Sequence, residues 1–345
     1  MVRSPKQFAL DEAVKVLDRI PILGAVKDEI ARLRSLLYDR RTPRFAVLGL
    51  PESGRSSLLQ ALIERGSGGE LRAEHDAWVQ IAHESAKVDW LELDINDDNA
   101  KSHWRSAVEQ KVPDVVLVTI EPADIERAEE ILVQSDALLR DLPSGAERPR
   151  IFPLLTQSDL IGTGERDAEA LRRTLTQTLR RSKINADPPR AVSSLTGQGL
   201  EGLSEAIVLA LPEEARVEAA RSLTRASEAR VRIANEIVRA CTSISMTVGI
   251  TPIPFSDMAV LGPVQLMMVS AIAYLSGRQW NRRTAAEWFA SLGVAGTIAF
   301  GMRYTAQAVL KFIPVAGNLV SAGFAGGGTS AMGRSAIKYF LRTDD

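Results

Sequence analysis

The clearest chemical signal in the chain is an eight-residue run, Gly49-Leu50-Pro51-Glu52-Ser53-Gly54-Arg55-Ser56. It follows a short apolar segment, Arg44–Gly49, and leads into a helical pattern that starts at Ser56. The spacing satisfies G-x-x-x-x-G-K-[ST] at every anchor except the lysine, which is Arg55. A loop of this kind binds phosphate because successive backbone N–H groups point inward at a helix N-terminus, where the helix dipole also favours an anion. The candidate phosphate-binding set is Gly49, Glu52, Ser53, Gly54, Arg55, Ser56 and Ser57, with Ser56 as a ligand for Mg²⁺. Arg55 keeps the positive charge, but its planar fork does not replace a compact ammonium, so weaker triphosphate binding or altered geometry is expected. Other chemistries have little to work with. One cysteine, Cys241, excludes a disulfide framework and any multi-cysteine metal site, and three histidines leave little for zinc.

A phosphate loop needs a strand before it and a helix after it, and the flanking sequence supplies both repeatedly. Strands are expected at Arg44–Gly49, Trp78–His83, Val88–Ile95, Asp114–Ile120, Ile151–Thr156 and Arg190–Ser193. Helices are expected at Ser56–Arg65, Asn99–Lys111, Ala123–Leu142, Glu165–Arg181 and Leu200–Leu211. Strands alternating with helices at this spacing imply βαβ crossovers, and hence an α/β fold with a mostly parallel sheet covered on both faces. Ahead of them, residues 8–38 read as one or two amphipathic helices, interrupted at Pro21 and Gly24. Behind them, Pro212–Ala240 reads as one charged, solvated helix.

Three further segments, taken with the loop, resemble a divergent small GTPase domain of the Ras/Era type over roughly residues 40–212. Ser193-Ser194-Leu195-Thr196-Gly197-Gln198-Gly199-Leu200 is similar to that family's guanine-loop pattern S-A-x-x-G-x-G-L, with Ser194 for alanine. Thr156-Gln157-Ser158-Asp159 stands at the position of its N-K-x-D motif. The resemblance implies that Asp159 accepts from guanine N1 and N2, and that Thr156, Gln157, Ser193 and Ser194 complete the base site. It also implies that Asp94, in Asp94-Ile95-Asn96-Asp97, reaches Mg²⁺ through water. Four departures fall in this one site. Arg55 and Gln157 replace lysines, Asp97 replaces the glycine of D-x-x-G, and no switch threonine is evident between the loop and the third strand. The base-binding side is therefore recognisable, with Gln157 expected to weaken it, and the hydrolytic side is expected to be eroded.

The rest of the chain has a different composition. Of 345 residues, 42 are basic and 43 acidic, a formal net charge of −1. Yet Thr242–Gly277 and Trp288–Gly333, 82 residues together, hold 3 of those 85 charges and 12 of the 24 glycines. Within them, the turns Ile253-Pro254-Phe255-Ser256-Asp257 and Ile313-Pro314-Val315-Ala316-Gly317-Asn318 look like a diverged duplication, each preceding an apolar helix. Residues 230–340 resemble a YcjF-type helical domain, which implies a helical, membrane-associated module and no chemistry. Met258–Gly277 is long enough to span a bilayer, with 289–302 and 312–332 as further segments. A compact bundle of buried apolar helices is the alternative. Glycines at 293, 296, 301, 323, 326 and 327 suit close helix contacts. Arg278, Arg282 and Arg283 suit an anionic leaflet or a solvated loop equally.

The expected organisation is an N-terminal amphipathic segment (1–40), a GTPase-like domain (41–212), a linking helix (213–241) and an all-α apolar domain (242–345). The expected function is a guanine-nucleotide-binding switch using GTP or GDP and Mg²⁺. It would engage a membrane surface or a protein partner through residues 242–345, and self-association is left open. The alternatives are a pseudo-GTPase scaffold or a membrane-remodelling protein regulated by its front half. With no apolar leader at the start, the chain is expected in the cytoplasm, at the inner face of the cytoplasmic membrane. No basic patch interleaved with aromatics appears, so nucleic acid is not an expected partner.

Overall fold

The computed structural model describes residues 27–63, 77–83, 86–161, 165–250, 256–278 and 316–342. The expectations for residues 8–26, for most of the 66–86 stretch and for 289–302 lie outside them, as do Gly293, Gly296, Gly301, Arg282 and Arg283. The chain divides into two compact units, one formed by residues 41–229 and the other by residues 1–40 together with 230–345.

The first unit is a six-stranded sheet in the order β2-β3-β1-β4-β5-β6. Its strands are β1 (Arg44–Gly49), β2 (Val79–His83), β3 (Ala86–Asp94), β4 (Val115–Ile120), β5 (Arg150–Leu155) and β6 (Arg190–Ala191). All pairings are parallel except β2 with β3. The central strands are apolar on both faces because helices cover both. On one face Ala46, Leu48, Leu91, Leu93, Val116 and Val118 pack with Trp104 and Val108 of α3 (Ala100–Gln110) and with Ile131 and Leu132 of α4 (Ala128–Leu138). Leu175 and Leu179 of α5 (Glu165–Arg181) complete that core. The alternate residues face the other way. There Phe45 meets Trp90 edge-on with ring centroids 6.0 Å apart. Here α2 (Arg55–Ile63) lies against β1 and α6 (Leu200–Ala210), and α7 (Glu213–Ser222) against β3. Because the chain steps from β1 to β3 on one side and then crosses to β4 on the other, the carboxyl end of β1 is a topological switch point, where open α/β sheets bind ligands.

Two expected helices are corrected. Ala123–Leu142 is not one helix. Pro122 opens a 3₁₀ stretch, Pro122–Arg127, before α4 begins, and α4 ends at Leu138. Arg140 and Asp141 then donate to carbonyls three residues back, a tightening that suits the approach to Pro143. Pro212–Ala240 is likewise two helices, α7 and α8 (Ser227–Ile250). Leu223 is extended at the break, and Thr224 donates from both its N–H and its hydroxyl to the Leu62 carbonyl, at 2.9 and 3.1 Å. Nor is α7 a solvated helix, since Val217, Ala219, Ala220 and even Arg221 are buried.

The second unit holds α1 (Lys27–Leu37), most of α8, α9 (Ser256–Leu275) and α10 (Ala316–Leu341). The Gly326-Gly327-Gly328 run does not interrupt α10, which is continuous across it. A Cβ on Gly326 would collide with Met246 of α8, and one on Gly333 with Val238, so these glycines set how closely the two helices approach. Thr329 links three helices through buried polar contacts, donating to Ser245 Oγ at 2.9 Å and accepting from Gln265 Nε2 at 3.0 Å. Among the described residues, no helix is long and apolar enough to cross a membrane. Met258–Gly277 is helical through Leu275, but it carries Pro263 and the buried polar residues Gln265 and Ser270.

Candidate functional site

Each loop that leaves the carboxyl end of β1, β4, β5 and β6 contributes to one place. The loop after β1 turns sharply, with Glu52 at φ 63° and Gly54 at φ 84°, both left-handed. A non-glycine residue in that region is uncommon and held there by its surroundings. Here the hold is visible. Gln157, itself left-handed at φ 51°, donates its side-chain amide to the Glu52 carbonyl at 2.8 Å. The Thr156 hydroxyl donates to the Ser53 carbonyl at 2.8 Å. Ser53 is buried, with its hydroxyl 2.7 Å from that of Thr119 on β4. Gly49 sits at the crowded end of β1, where a Cβ would run into Thr119 and would lie 2.6 Å from Ser53 Oγ. Side chains from β4 and from the turn after β5 thus hold the loop's shape.

Above the loop lies a cleft of about 450 Å³, lined by Glu52, Gly54, Ser57, Gln60, Ala61, Thr156, Gln157, Asp159, Leu160, Ser194 and Leu195. Seven of the sequence-expected residues are therefore gathered on one wall set. Ser193 is fully buried behind it; its hydroxyl accepts from the Thr196 N–H at 3.1 Å and shapes the turn. Leu160 and Leu195 were not singled out from sequence. They are 71% and 85% exposed, two apolar lips at the mouth of a polar cleft.

Arg55 and the two residues expected from sequence to hold a metal, Ser56 and Asp94, have specific engagements. Arg55 folds back, donating to the Gly49 carbonyl at 3.1 Å. Ser56 donates its hydroxyl to Glu92 Oε2 at 2.7 Å. Asp94, in register with Gly49, accepts from the Asn96 N–H on Oδ1 at 2.9 Å. Glu121, just after β4, is also new. Its pKa is raised above the ordinary 4.5, first by desolvation, then by Asp124 beside it and by Glu52, with Gln157 partly opposing through a hydrogen bond.

A phosphate loop of this kind implies Mg²⁺, and the donors fit a hard cation. Ser56 spends its proton on Glu92 and keeps its lone pairs, and Asp94 uses one oxygen on its own turn. No cluster of three or more metal-binding side chains occurs among the described residues. A cation here would take its remaining ligands from water and phosphate oxygens, as Mg²⁺ commonly does.

Sheet order, left-handed loop and converging strand ends define an α/β domain of the phosphate-loop type. No protein-family model matches the chain. No curated protein matches it either. Among solved structures it is similar to SsGBP in complex with GDP, at 18% identity over 53% of this chain and 54% of that one, with a TM-score of 0.37. It is similar to the FeoB G-domain from Methanococcus jannaschii, at 17% identity over 49% of this chain and 98% of that one, TM-score 0.35. Against the bacterial selenocysteine-specific elongation factor EF-Sec the identity is 18%, over 48% and 28% of the two chains, TM-score 0.36. The chain spans about half the length of the SsGBP chain and less of EF-Sec. Likenesses this distant carry no functional argument, which rests on the loop geometry instead.

Proposed function

We propose that this chain is a guanine-nucleotide-binding switch protein whose front unit reports on nucleotide to the helical unit. One observation carries the reading: a left-handed phosphate loop, the Thr156–Asp159 segment and Ser194 meet around a single cleft. In that reading the loop N–H groups take the phosphates, Asp159 takes the guanine edge, and Leu160 and Leu195 cover the faces of the planar base. Ser56 holds Mg²⁺ directly and Asp94 through water, and the ion neutralises phosphate charge. The test is a titration of the purified protein with labelled GTP, GDP and ATP in Mg²⁺. Saturable guanine binding that ATP does not displace is expected, and no binding at millimolar nucleotide would sink the proposal.

A second reading, a scaffold with little or no hydrolysis, draws on Arg55, whose guanidinium is turned back to the Gly49 carbonyl. Steady-state phosphate release, with Arg55→Lys for comparison, separates the two. Turnover abolished by Ser56→Ala rejects the scaffold. The proposed place of work is the cytoplasm at the inner membrane face, with residues 242–345 engaging the membrane or a partner. Liposome flotation of the intact chain and of a chain lacking 242–345 decides the membrane part; equal behaviour of the two rejects it.

A further inference from the structure

We infer that Glu92 is a positioning residue for a divalent cation at Ser56, a role that rests on the phosphate-loop reading above. Glu92 is 0% exposed near the carboxyl end of β3, an unusual place for a carboxylate, because burying a charge is costly unless it is hydrogen-bonded. Register explains its reach. Glu92 lies beside Val47 of β1, and Asp94 beside Gly49, so the two acids share the sheet face that carries α2. One carboxylate oxygen takes the Ser56 hydroxyl at 2.7 Å and the other takes the Trp90 indole N–H at 3.1 Å. The tryptophan fixes the rotation of the carboxylate, and the carboxylate fixes the rotation of the hydroxyl.

The consequence lies in where the hydroxyl's electrons point. Ser56 is exposed while Glu92 is buried beneath it, so the proton is directed into the protein and the lone pairs toward the loop's open side. A hydroxyl donating to an anion is in a charge-assisted bond. Its oxygen becomes more electron-rich, and hence a better ligand for a hard cation. Partners that orient a metal ligand in this way are typically worth about 10- to 100-fold in metal affinity. Glu92 touches neither phosphate nor metal in this scheme, and it acts through Ser56.

The test compares GDP and GTP affinity in excess Mg²⁺ and in EDTA for the wild-type chain, Glu92→Gln and Ser56→Ala. Mg²⁺ should tighten GTP binding to the wild type. In Glu92→Gln that gain should fall by about tenfold, with GDP affinity in EDTA nearly unchanged, and Ser56→Ala should lose the same gain. The double variant should lose no more than either single one. Direct Mn²⁺ binding to the nucleotide complex, read by electron paramagnetic resonance, should weaken in parallel. Should Glu92→Gln not fold, Glu92→Asp keeps the charge, withdraws the oxygen from Ser56, and should show the same loss. A full Mg²⁺ gain in the folded variant overturns the inference, as does an equal weakening with and without Mg²⁺, which is what a merely structural role produces. Wild-type protein that binds neither nucleotide in either condition overturns the phosphate-loop reading itself, a distinguishable failure.

Discussion

Gly49 shows how much a single residue decides here. Its missing side chain leaves room for Thr119 and Ser53, whose paired hydroxyls tie the loop to β4. Gly49→Ala puts a methyl group into that space, 2.9 Å from the Thr119 carbonyl, and should destabilise the first unit by about 1–3 kcal/mol, read from chemical denaturation. An unchanged midpoint would mean that the contact is not tight. Glu121 makes a different prediction. Its neutral form is favoured in the fold, so its stabilising contribution is complete below the ordinary 4.5 and is lost as pH rises through the raised value. Ionised, it also adds negative charge beside Glu52. Nucleotide affinity should therefore strengthen by about threefold as pH falls toward that range, and Glu121→Gln should flatten the profile. Most of the loop was legible from spacing, because glycines and a serine at fixed offsets have few other reasons to occur together. Thr119, Glu92 and Glu121 were not. Their role comes from parallel register between strands far apart in the chain, which no local pattern records. The one hint was an acid at Glu92 on the same strand face as Trp90, in a strand apolar enough to be buried.

At the scale of elements, the expected strand–helix alternation holds because each strand is a short apolar run with clear turns. Of the two misread helices, Ala123–Leu142 is cut by its flanking prolines, whereas the break in Pro212–Ala240 depends on a tertiary bond. Nothing in Arg221-Ser222-Leu223-Thr224-Arg225-Ala226 announces a helix break, since it has neither proline nor glycine. The break exists because Thr224 is captured by the Leu62 carbonyl at the end of α2, the helix that begins at the phosphate loop. The next residue, Arg225, lays its guanidinium against Gly197, which is left-handed at φ 79° in the turn that also carries Ser194. One short connector thus touches the end of the phosphate-loop helix and the back of the turn that carries Ser194 to the cleft. Gly197→Ala should cost about 1–3 kcal/mol, part backbone strain and part collision with Arg225. Arg225→Ala alone should be nearly neutral, within about 0.5 kcal/mol. Combined, they should be less damaging than the sum, because truncating the arginine relieves the collision but not the strain. Strict additivity in this cycle would show that the two residues do not meet.

For the whole molecule, the informative fact is that the second unit is assembled from both ends of the sequence. Charge density changes at Thr242, but a helix does not stop where the charges stop, and α8 runs from Ser227 to Ile250. An amphipathic helix must bury its apolar stripe somewhere, and sequence alone cannot say against what. Here α1 buries Leu33, Leu36 and Leu37 in its own unit. Glu29 accepts from the Ser243 hydroxyl at 3.3 Å, Arg32 pairs with Glu236 at 3.6 Å, and Arg40 stacks 4.5 Å over the Tyr274 ring. Removing residues 1–40 should therefore loosen the helical unit and leave the proposed nucleotide cleft intact. Cys241 on α8 is a built-in reporter. It is fully buried, and desolvation pushes its thiol up to about 12, so it should resist alkylation in the intact chain. In the shortened chain its labelling rate should rise by an order of magnitude or more, approaching that of the denatured protein, while GDP affinity stays within about twofold. The opposite pattern, a protected Cys241 with lost nucleotide binding, would mean that the N-terminal segment serves the sheet and not the helices.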